Sequence, residues 1–449
     1  MGSAALEVRR VGTDSRHVQA GDLFLALAGD KFDGHDFLTE VLAKGAVAVM
    51  VERRRLPLPP LAGAVIVVEN TRQALGRLAA FYRQDFALPA VAVAGSNGKS
   101  TTKELIAAVL RQRLATLHSE ASFNNDLGVP LSLLRLEHRH QAAVLEVGTN
   151  HPGELPPLLA MIQPRYGVMT SLGREHLEFF GDLEGVVREE GWLAELLPAA
   201  GRLFLNADHE LTEMIARRSR APVTRVGWHP AHDWQASAAR LDDQGTTFTV
   251  RASQPDYAGE YRVNLLGRHQ VTNALLALAV GAEFGLAPEE LRSGLAGCHP
   301  LKMRLQLWEA QGVRVLDDTY NANADSMLAA LQTLHDLPCA GRRIAVLGDM
   351  AEQGSWAAEA HDEVGRRAAE LGIHHLFAVG VMAAQTVRAA RRAGLQEAVE
   401  FRDTAQASRT ITRLTQPGDL VLLKASRVSG LERLSRALRQ ARNLSPAAH

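Results

Sequence analysis

Val91 to Leu110 reads VAVAGSNGKSTTKELIAAVL: an apolar run, a glycine turn carrying a lysine and hydroxyls, then a segment of helical period. This order predicts a buried strand, a phosphate-binding loop and a helix, and so an α/β layer with its site at the carboxyl end of a strand. Gly95 and Gly98 let the backbone turn tightly around Ser96 and Asn97 and point its N–H groups inward, and the helix dipole favours an anion there. Lys99 would supply a mobile cation for the outer phosphates, and Ser100 or Thr101 a hydroxyl for the magnesium ion that travels with them. The match is to the short form GxxGK[ST]; the longer form would need a glycine at position 93, which is Val93. A glycine turn that binds nothing is the alternative.

With 449 residues the chain exceeds a single ordinary core, so several domains are expected. Lys plus Arg (49) and Asp plus Glu (50) nearly cancel, which argues against a nucleic-acid partner. The two cysteines, Cys298 and Cys339, lack CxxC spacing, so buried free thiols are expected rather than zinc or disulfides. The first residues, MGSAALEVRR, have no apolar signal core, and Leu6 stands where a myristoylation signal needs serine or threonine. The longest apolar stretch, Ala274 to Ala282, is too short for a bilayer, so no membrane association and a cytoplasmic location are expected.

From Arg10 to about Phe86 short apolar strands alternate with helix-period segments, which predicts an α/β unit with a partly parallel sheet. RRRLPLPPLAG reads as a surface loop and QDFALP as a hinge into the next domain. No Gly-x-Gly-x-x-Gly occurs near the start, which excludes the usual dinucleotide-binding unit. In the central region, Asn124, Asn125 and Asp126 precede an apolar helix and read as caps or as polar site residues. Glu146 ends the buried-strand pattern AAVLE, where a magnesium ligand or a solvated strand end would sit. A second strand is followed by His176 and Glu178, with His176 a ligand or a surface histidine. VVREEGWLAELL reads as an amphipathic helix whose Arg188, Glu189 and Glu190 would make a solvated face unless recruited. Asn273 opens a helix apolar nearly all round, as a cap or as a ligand contact. From Met303 at least four strand signals alternate with helices, the pattern of a doubly wound domain.

At this point the chain resembles one family, the ATP-dependent Mur ligases of bacterial cell-wall synthesis. TDSR, FDGHDF, GSNGKSTTKE, NNDLGVPLSLLRL, LEVGTNHPGE, HLEFFG, GRHQVTNAL, LDDTYNAN, VLGDMAEQG and LLKASR follow in the family's order over almost the whole chain. Among its branches the strings most resemble the one that joins D-Ala-D-Ala to a UDP-MurNAc-tripeptide. The Asp-Asn-Pro-Arg string usual in the ligase that adds the third residue occurs nowhere.

The resemblance implies three domains: a UDP-binding α/β domain (1–87), a central ATPase-like α/β domain with the phosphate loop (88–302), and a C-terminal doubly wound, Rossmann-like domain (303–449). It implies ATP and Mg2+ as cofactors, a cleft site completed by domain closure, and a monomer. By resemblance the loop Gly95, Ser96, Asn97, Gly98, Lys99, Ser100 and Thr101 holds the ATP phosphates, and Ser100, Glu146 and His176 serve magnesium. Asn273 would meet adenine, Arg304 the phosphates and Asp318 the ribose, with Asn321 nearby. Ser15, Arg16, His35, Asp36 and Phe37 would hold the UDP part, and Asn124 and Asn125 would face the sugar-peptide. Lys424, Ser426 and Arg427 would bind the dipeptide.

One departure stands out. Most of the family carries, before a glycine in the helix after HLE, a lysine that carbon dioxide carbamylates and that helps bind a second magnesium ion. Here that position is Glu190, before Gly191. Glu190 is expected to replace the carbamate with a permanent carboxylate; a solvated helix glutamate is the alternative. A kinase or nucleotide switch is the reading from another class, and it leaves Arg304 and Asp318 without a task.

Overall fold

The computed structural model describes residues 5–29 and 31–444. The leader reading over residues 1–4 and the expected domain limits at 1 and 449 lie outside them.

Three sheets follow one another along the chain. The first contains β1 (Arg10–Gly12), β2 (Asp22–Leu25), β3 (Ala48–Glu52) and β4 (Ala64–Val68), in that order. Every pairing in it is parallel, so the sheet is more uniform than the expected partly parallel one. The helices Leu38–Ala43 and Thr71–Arg83 cover its two faces. The expected hinge after Arg83 is clasped: that buried guanidinium donates to the carbonyls of Phe86, Leu88 and Ile162.

The second sheet has nine strands: β5 (Ala90–Ala94), β6 (Thr116–His118), β7 (Ala142–Glu146), β8 (Tyr166–Met169), β9 (Arg202–Asn206), β10 (Val223–Gly227), β11 (Trp234–Asp242), β12 (Gly245–Ala252) and β13 (Gly259–Val263). Their order is β13-β12-β11-β10-β9-β8-β5-β7-β6. It is parallel from β6 to β11, and the Asp243-Gln244-Gly245 turn starts an antiparallel flank. Side chains alternate strictly: Val91, Val93 and Val144 face one core, and Ala92, Ala94 and Leu145 the other. The helices Lys99–Leu110 and Arg268–Glu283 cover the first core; the second is buried from Gln270 to Gly281, as its all-round apolar pattern requires. Because β5 lies between β7 and β8, the chain reverses direction across the sheet there. The crevice at their carboxyl ends is where an α/β sheet takes its ligand.

The third sheet runs β14-β15-β19-β16-β17-β18, from β14 (Gln306–Ala310), β15 (Val313–Asp318), β16 (Arg343–Gly348), β17 (His375–Val379), β18 (Ala398–Phe401) and β19 (Leu420–Lys424). Only β14 is antiparallel to its neighbour. Helices cover both faces, as expected of a doubly wound layer. Cys298 is buried, but Cys339 is only partly so, lying in the loop before β16. Among the described residues no helix is long and apolar enough to cross a membrane.

Candidate active site

The phosphate loop lies between β5 and its helix, as its sequence requires. Gly95 (φ +116°) and Gly98 (φ +86°) are left-handed, and a Cβ on Gly98 would lie 2.6 Å from Asn273 Oδ1. Asn273 therefore packs under the loop instead of capping its helix, and its amide donates to Gln270 Oε1 at 2.9 Å. The loop after β8 braces the turn: Ser96 N donates to Ser171 O at 2.9 Å and Asn97 N to Ser171 Oγ at 2.9 Å. The Lys99 ammonium is folded back onto the carbonyls of Gly95 and Ser96 and lies 3.4 Å from Glu175 Oε2. Burial alone would lower its pKa; Glu175, Glu190 and Glu146 outweigh burial and raise it.

Two buried carboxylates beside the phosphate loop are incompletely bonded. Glu146, at the end of β7, is buried; Asn124 Nδ2 donates to its Oε1 at 2.9 Å, and its Oε2 has no hydrogen-bond partner. Glu190 is also buried, with Oε2 unpartnered. Burial, opposed by Lys99 and reinforced by Glu175, raises its pKa well above the usual carboxylate range. The neighbouring Glu189 is structural: it accepts from Gly153 N at 2.8 Å and Leu155 N at 2.9 Å, at the start of the helix Leu155–Ile162. The solvated face expected of Arg188 to Glu190 is thus corrected. Of the three only Arg188 is exposed, because Glu189 is bonded to the backbone of Gly153 and Leu155 and Glu190 is buried beside Gly95 and Lys99.

His176 is left-handed (φ +49°), and its Nδ1 meets the Glu352 carboxylate of the third domain. Asn125 Oδ1 accepts from Gly128 N at 2.9 Å, so it caps the next helix, whereas Asn124 serves Glu146. Among the described residues no three His, Cys, Asp or Glu side chains stand close enough to form a ready-made cation site.

The third sheet supplies the opposite wall. Arg304 Nη2 donates to Ser100 Oγ at 3.2 Å and to Ser122 Oγ at 3.3 Å, and the guanidinium stacks 4.1 Å from the Tyr320 ring centre. Asp318 and Lys424 are register partners on β15 and β19, which explains their 2.5 Å ion pair. Lys424 also donates to Asn321 O at 3.0 Å and is buried, so its ammonium is already engaged rather than open to a dipeptide. Ser426 is engaged too: its Oγ donates to Ala322 O and accepts from Ala351 N. Arg427 is exposed at the rim. His269, between these groups, has its pKa lowered to about 4, first by burial and then by Lys424, with Asp318 opposing.

A cleft of about 1100 Å3 is lined by the loop from Ser96 to Thr101 and by Glu146, His176, Asn273, Arg304, Asp318, Lys424 and Arg427, but not by Glu189 or Glu190. Ser15, Arg16, His35, Asp36 and Phe37 lie outside it, and Arg72 is the residue the first domain sends to its lining. His35 has both ring nitrogens occupied, by Asp33 at 2.6 Å and by Glu52 N at 3.0 Å, so it ties its loop to β3. Arg16 is exposed and its guanidinium pairs with Asp14 at 2.7 Å. The geometry also shows residues that sequence reasoning missed: Glu175, Ser122, Tyr320 and Glu352. None carries a periodic or spacing signal; Glu175 had only its place between the strand end and His176 to mark it.

Comparison with known proteins agrees with this architecture. Three family profiles match in chain order: "Mur ligase family, catalytic domain" over residues 7–83, "Mur ligase middle domain" over 93–281, and "Mur ligase, glutamate ligase domain" over 303–427. The chain is 36% identical over 447 residues to the UDP-N-acetylmuramoyl-tripeptide–D-alanyl-D-alanine ligase of Escherichia coli (strain K12), covering 97% of this chain and 95% of that protein. A crystal structure of MurF from Acinetobacter baumannii superposes with a TM-score of 0.88 at 32% identity, over 96% of this chain and 94% of that one. MurF ligase from Thermotoga maritima in complex with ADP superposes with a TM-score of 0.85 at 25% identity, over 98% and 99%. With its three domains matched in order and its length covered by such relatives, the chain belongs to the Mur ligase family.

Proposed function

We propose that this protein is an ATP-dependent ligase that joins D-Ala-D-Ala to UDP-MurNAc-tripeptide in the synthesis of peptidoglycan precursors. The observation that carries the reading is the shared cleft: a phosphate loop from one domain faces an Arg304, Asp318 and Tyr320 wall from another, in a chain similar end to end to ligases of that name. A carboxylate is a poor acyl donor because its leaving group would be oxide. Transfer of the γ-phosphoryl group from ATP to the peptide's terminal carboxylate gives an acyl phosphate; the dipeptide amine then attacks the carbonyl carbon, and phosphate leaves with a former carboxylate oxygen.

Lys99 leaves the carbonyls of its own loop to meet the outer phosphates, and Arg304 approaches the same charge from across the cleft. Asp318, held by Lys424, accepts from the ribose, and Asn273 borders the adenine. Asn124 aligns Glu146 while the sugar-peptide lies against the segment Asn124–Asp126, and Arg427 at the rim meets the carboxylate of the incoming dipeptide. Ser15, Arg16 and the segment His35–Phe37 would meet the UDP part only across the surface of the first domain.

Part of the donor set fits magnesium: Glu146, with a buried, unpartnered carboxylate oxygen, and the Ser100 hydroxyl both line the cleft, while Glu190, also with an unpartnered oxygen, is buried outside the lining beside Gly95 and Lys99. Ser100 and Glu146 would hold the ion, with His176 and Glu190 at the margin, and the ion would neutralise charge on the phosphates when bound. The proposed domains, 1–87, 88–302 and 303–449, are supported at their two inner limits by the gaps between β4 and β5 and between β13 and β14. A cytoplasmic monomer fits a chain that acts on small soluble substrates.

The test is phosphate release from ATP and Mg2+ with UDP-MurNAc-tripeptide, with and without D-Ala-D-Ala. Release that needs both substrates is expected. Equal release without the dipeptide would favour a kinase, and release with a different amine another ligase of the family.

A further inference from the structure

The segment Gly173–His176, between β8 and the helix Leu177–Phe180, touches both walls of the cleft. Toward the phosphate loop, Gly173 N donates to Ser96 Oγ at 2.9 Å, and Glu175 lies 3.4 Å from the Lys99 ammonium. Toward the third domain, Arg174 makes the densest set of polar contacts in the segment. Its backbone N donates to Asp325 Oδ2 at 2.7 Å, its Nε and Nη2 to Asp325 Oδ1 at 3.1 and 2.6 Å, and its Nη1 to Glu363 Oε2 at 2.5 Å. Asp325 sits in the first turn of the helix Ala324–Asp336 and Glu363 on the helix Ala357–Glu370, so one guanidinium fork holds two elements of the third domain.

The next two residues are those whose side chains face the phosphate site. His176 is held at φ +49°, a conformation that a residue with a side chain keeps only where its surroundings over-determine it. The Gly173–Ser96 contact and the Arg174 fork fix the chain before His176, and Phe179 N and Phe180 N donate to its carbonyl at 2.9 and 3.1 Å after it. Among the described residues, the other polar ties between this stretch and the third domain are Glu352, which meets His176 Nδ1 and accepts from Glu178 N, and Trp356 Nε1, which donates to Gly181 O at 3.0 Å.

We propose that Arg174 is a positioning residue: by gripping Asp325 and Glu363 it registers Glu175 and His176 against the phosphate loop, so that docking of the third domain sets the geometry around Lys99. The inference rests on the ligase reading only for its kinetic readout; its binding readout needs ADP alone.

Arg174→Ala, Arg174→Lys, Asp325→Asn and the Arg174→Ala/Asp325→Asn pair are to be compared with the parent in ADP titrations, in kcat and KM for each substrate, and in Tm. Arg174→Ala is expected to lower kcat by roughly thirty- to a hundredfold, the scale of a small misplacement at a reacting centre, and to weaken ADP binding by about tenfold. KM for the UDP-tripeptide stays within about twofold. Arg174→Lys, with one ammonium for two carboxylates, should recover part of the loss. The double variant should lose no more than the worse single one, because both break the same contact. Parental kcat and ADP affinity in Arg174→Ala would overturn the proposal. So would losses that multiply in the double variant, or a fall in Tm with kcat unchanged. If the parent shows no dipeptide-dependent turnover, the ligase reading fails, and the ADP titrations still decide the role of Arg174.

Discussion

Replacing Glu190 by glutamine should make the ligand-free protein more stable, although it removes a group placed in the site. Glu190 is buried with one oxygen unpartnered, and burial, against the pull of Lys99, raises its pKa. At neutral pH the folded chain must therefore hold a poorly compensated charge or take up a proton that the unfolded chain lacks. Glutamine keeps the shape and removes that cost, which for a buried unsatisfied group is about 1–3 kcal/mol. In a cooperative unit the size of the central domain this is roughly 2–10 °C in Tm.

The sign follows from proton linkage. A raised folded-state pKa means that the unfolded chain binds fewer protons, so this group's contribution becomes more unfavourable as pH rises from the ordinary carboxylate range through neutrality. The gain from Glu190→Gln should be near zero at about pH 4 and largest above neutrality. Scanning calorimetry of the ligand-free protein across that range reads both. Added Mg-ADP should stabilise the parent more than the variant, because the carboxylate then has a cation to meet. A variant no more stable than the parent above neutrality, or equally stabilised at both ends of the range, refutes the reasoning.

Lys99→Ala and Glu146→Ala should each lower turnover by more than about a hundredfold, the scale of one lost charge-stabilising group; steady-state kinetics beside a melting curve checks that Tm moves little. Stripping or adding bicarbonate should leave the parent's rate unchanged, while Glu190→Ala weakens its magnesium dependence; a bicarbonate-stimulated rate would contradict a permanent carboxylate at that position. His269, whose pKa is lowered to about 4 chiefly by burial, gives a pH signature of the opposite sign. The unfolded chain takes up its proton first, so stability is full above about pH 6.5 and falls toward pH 4; His269→Gln should flatten that slope in urea melts.

The phosphate loop was legible in the sequence because its chemistry is local: two glycines, a lysine and a hydroxyl within one turn need each other and little else. Glu146 was legible for a related reason, since a carboxylate ending an apolar run marks the end of a core strand. Glu189 and Glu190 were harder to read, because a charge run on a short amphipathic helix has the same spacing whether its end meets water or the buried side of the phosphate loop. The Asp318–Lys424 pair could not be seen at all. It depends on β15 and β19 becoming neighbours across some hundred residues, and a sequence shows two isolated charges there. Glu175 and Arg174 lie in a loop, where side-chain direction follows from contacts between domains and not from periodicity. The UDP contacts expected of the first domain carried recognisable strings, yet the structure places Ser15, Arg16 and His35 outside the cleft and binds His35 into its own loop.

The most direct test of the account follows oxygen. UDP-MurNAc-tripeptide labelled with 18O in its terminal carboxylate is turned over with ATP, Mg2+ and D-Ala-D-Ala, and the released phosphate is analysed by mass. Passage through an acyl phosphate predicts one 18O in each phosphate released and a ligated product that keeps one labelled carbonyl oxygen. Unlabelled phosphate beside ligated product, with the lost 18O found in water or in the nucleotide, would contradict it.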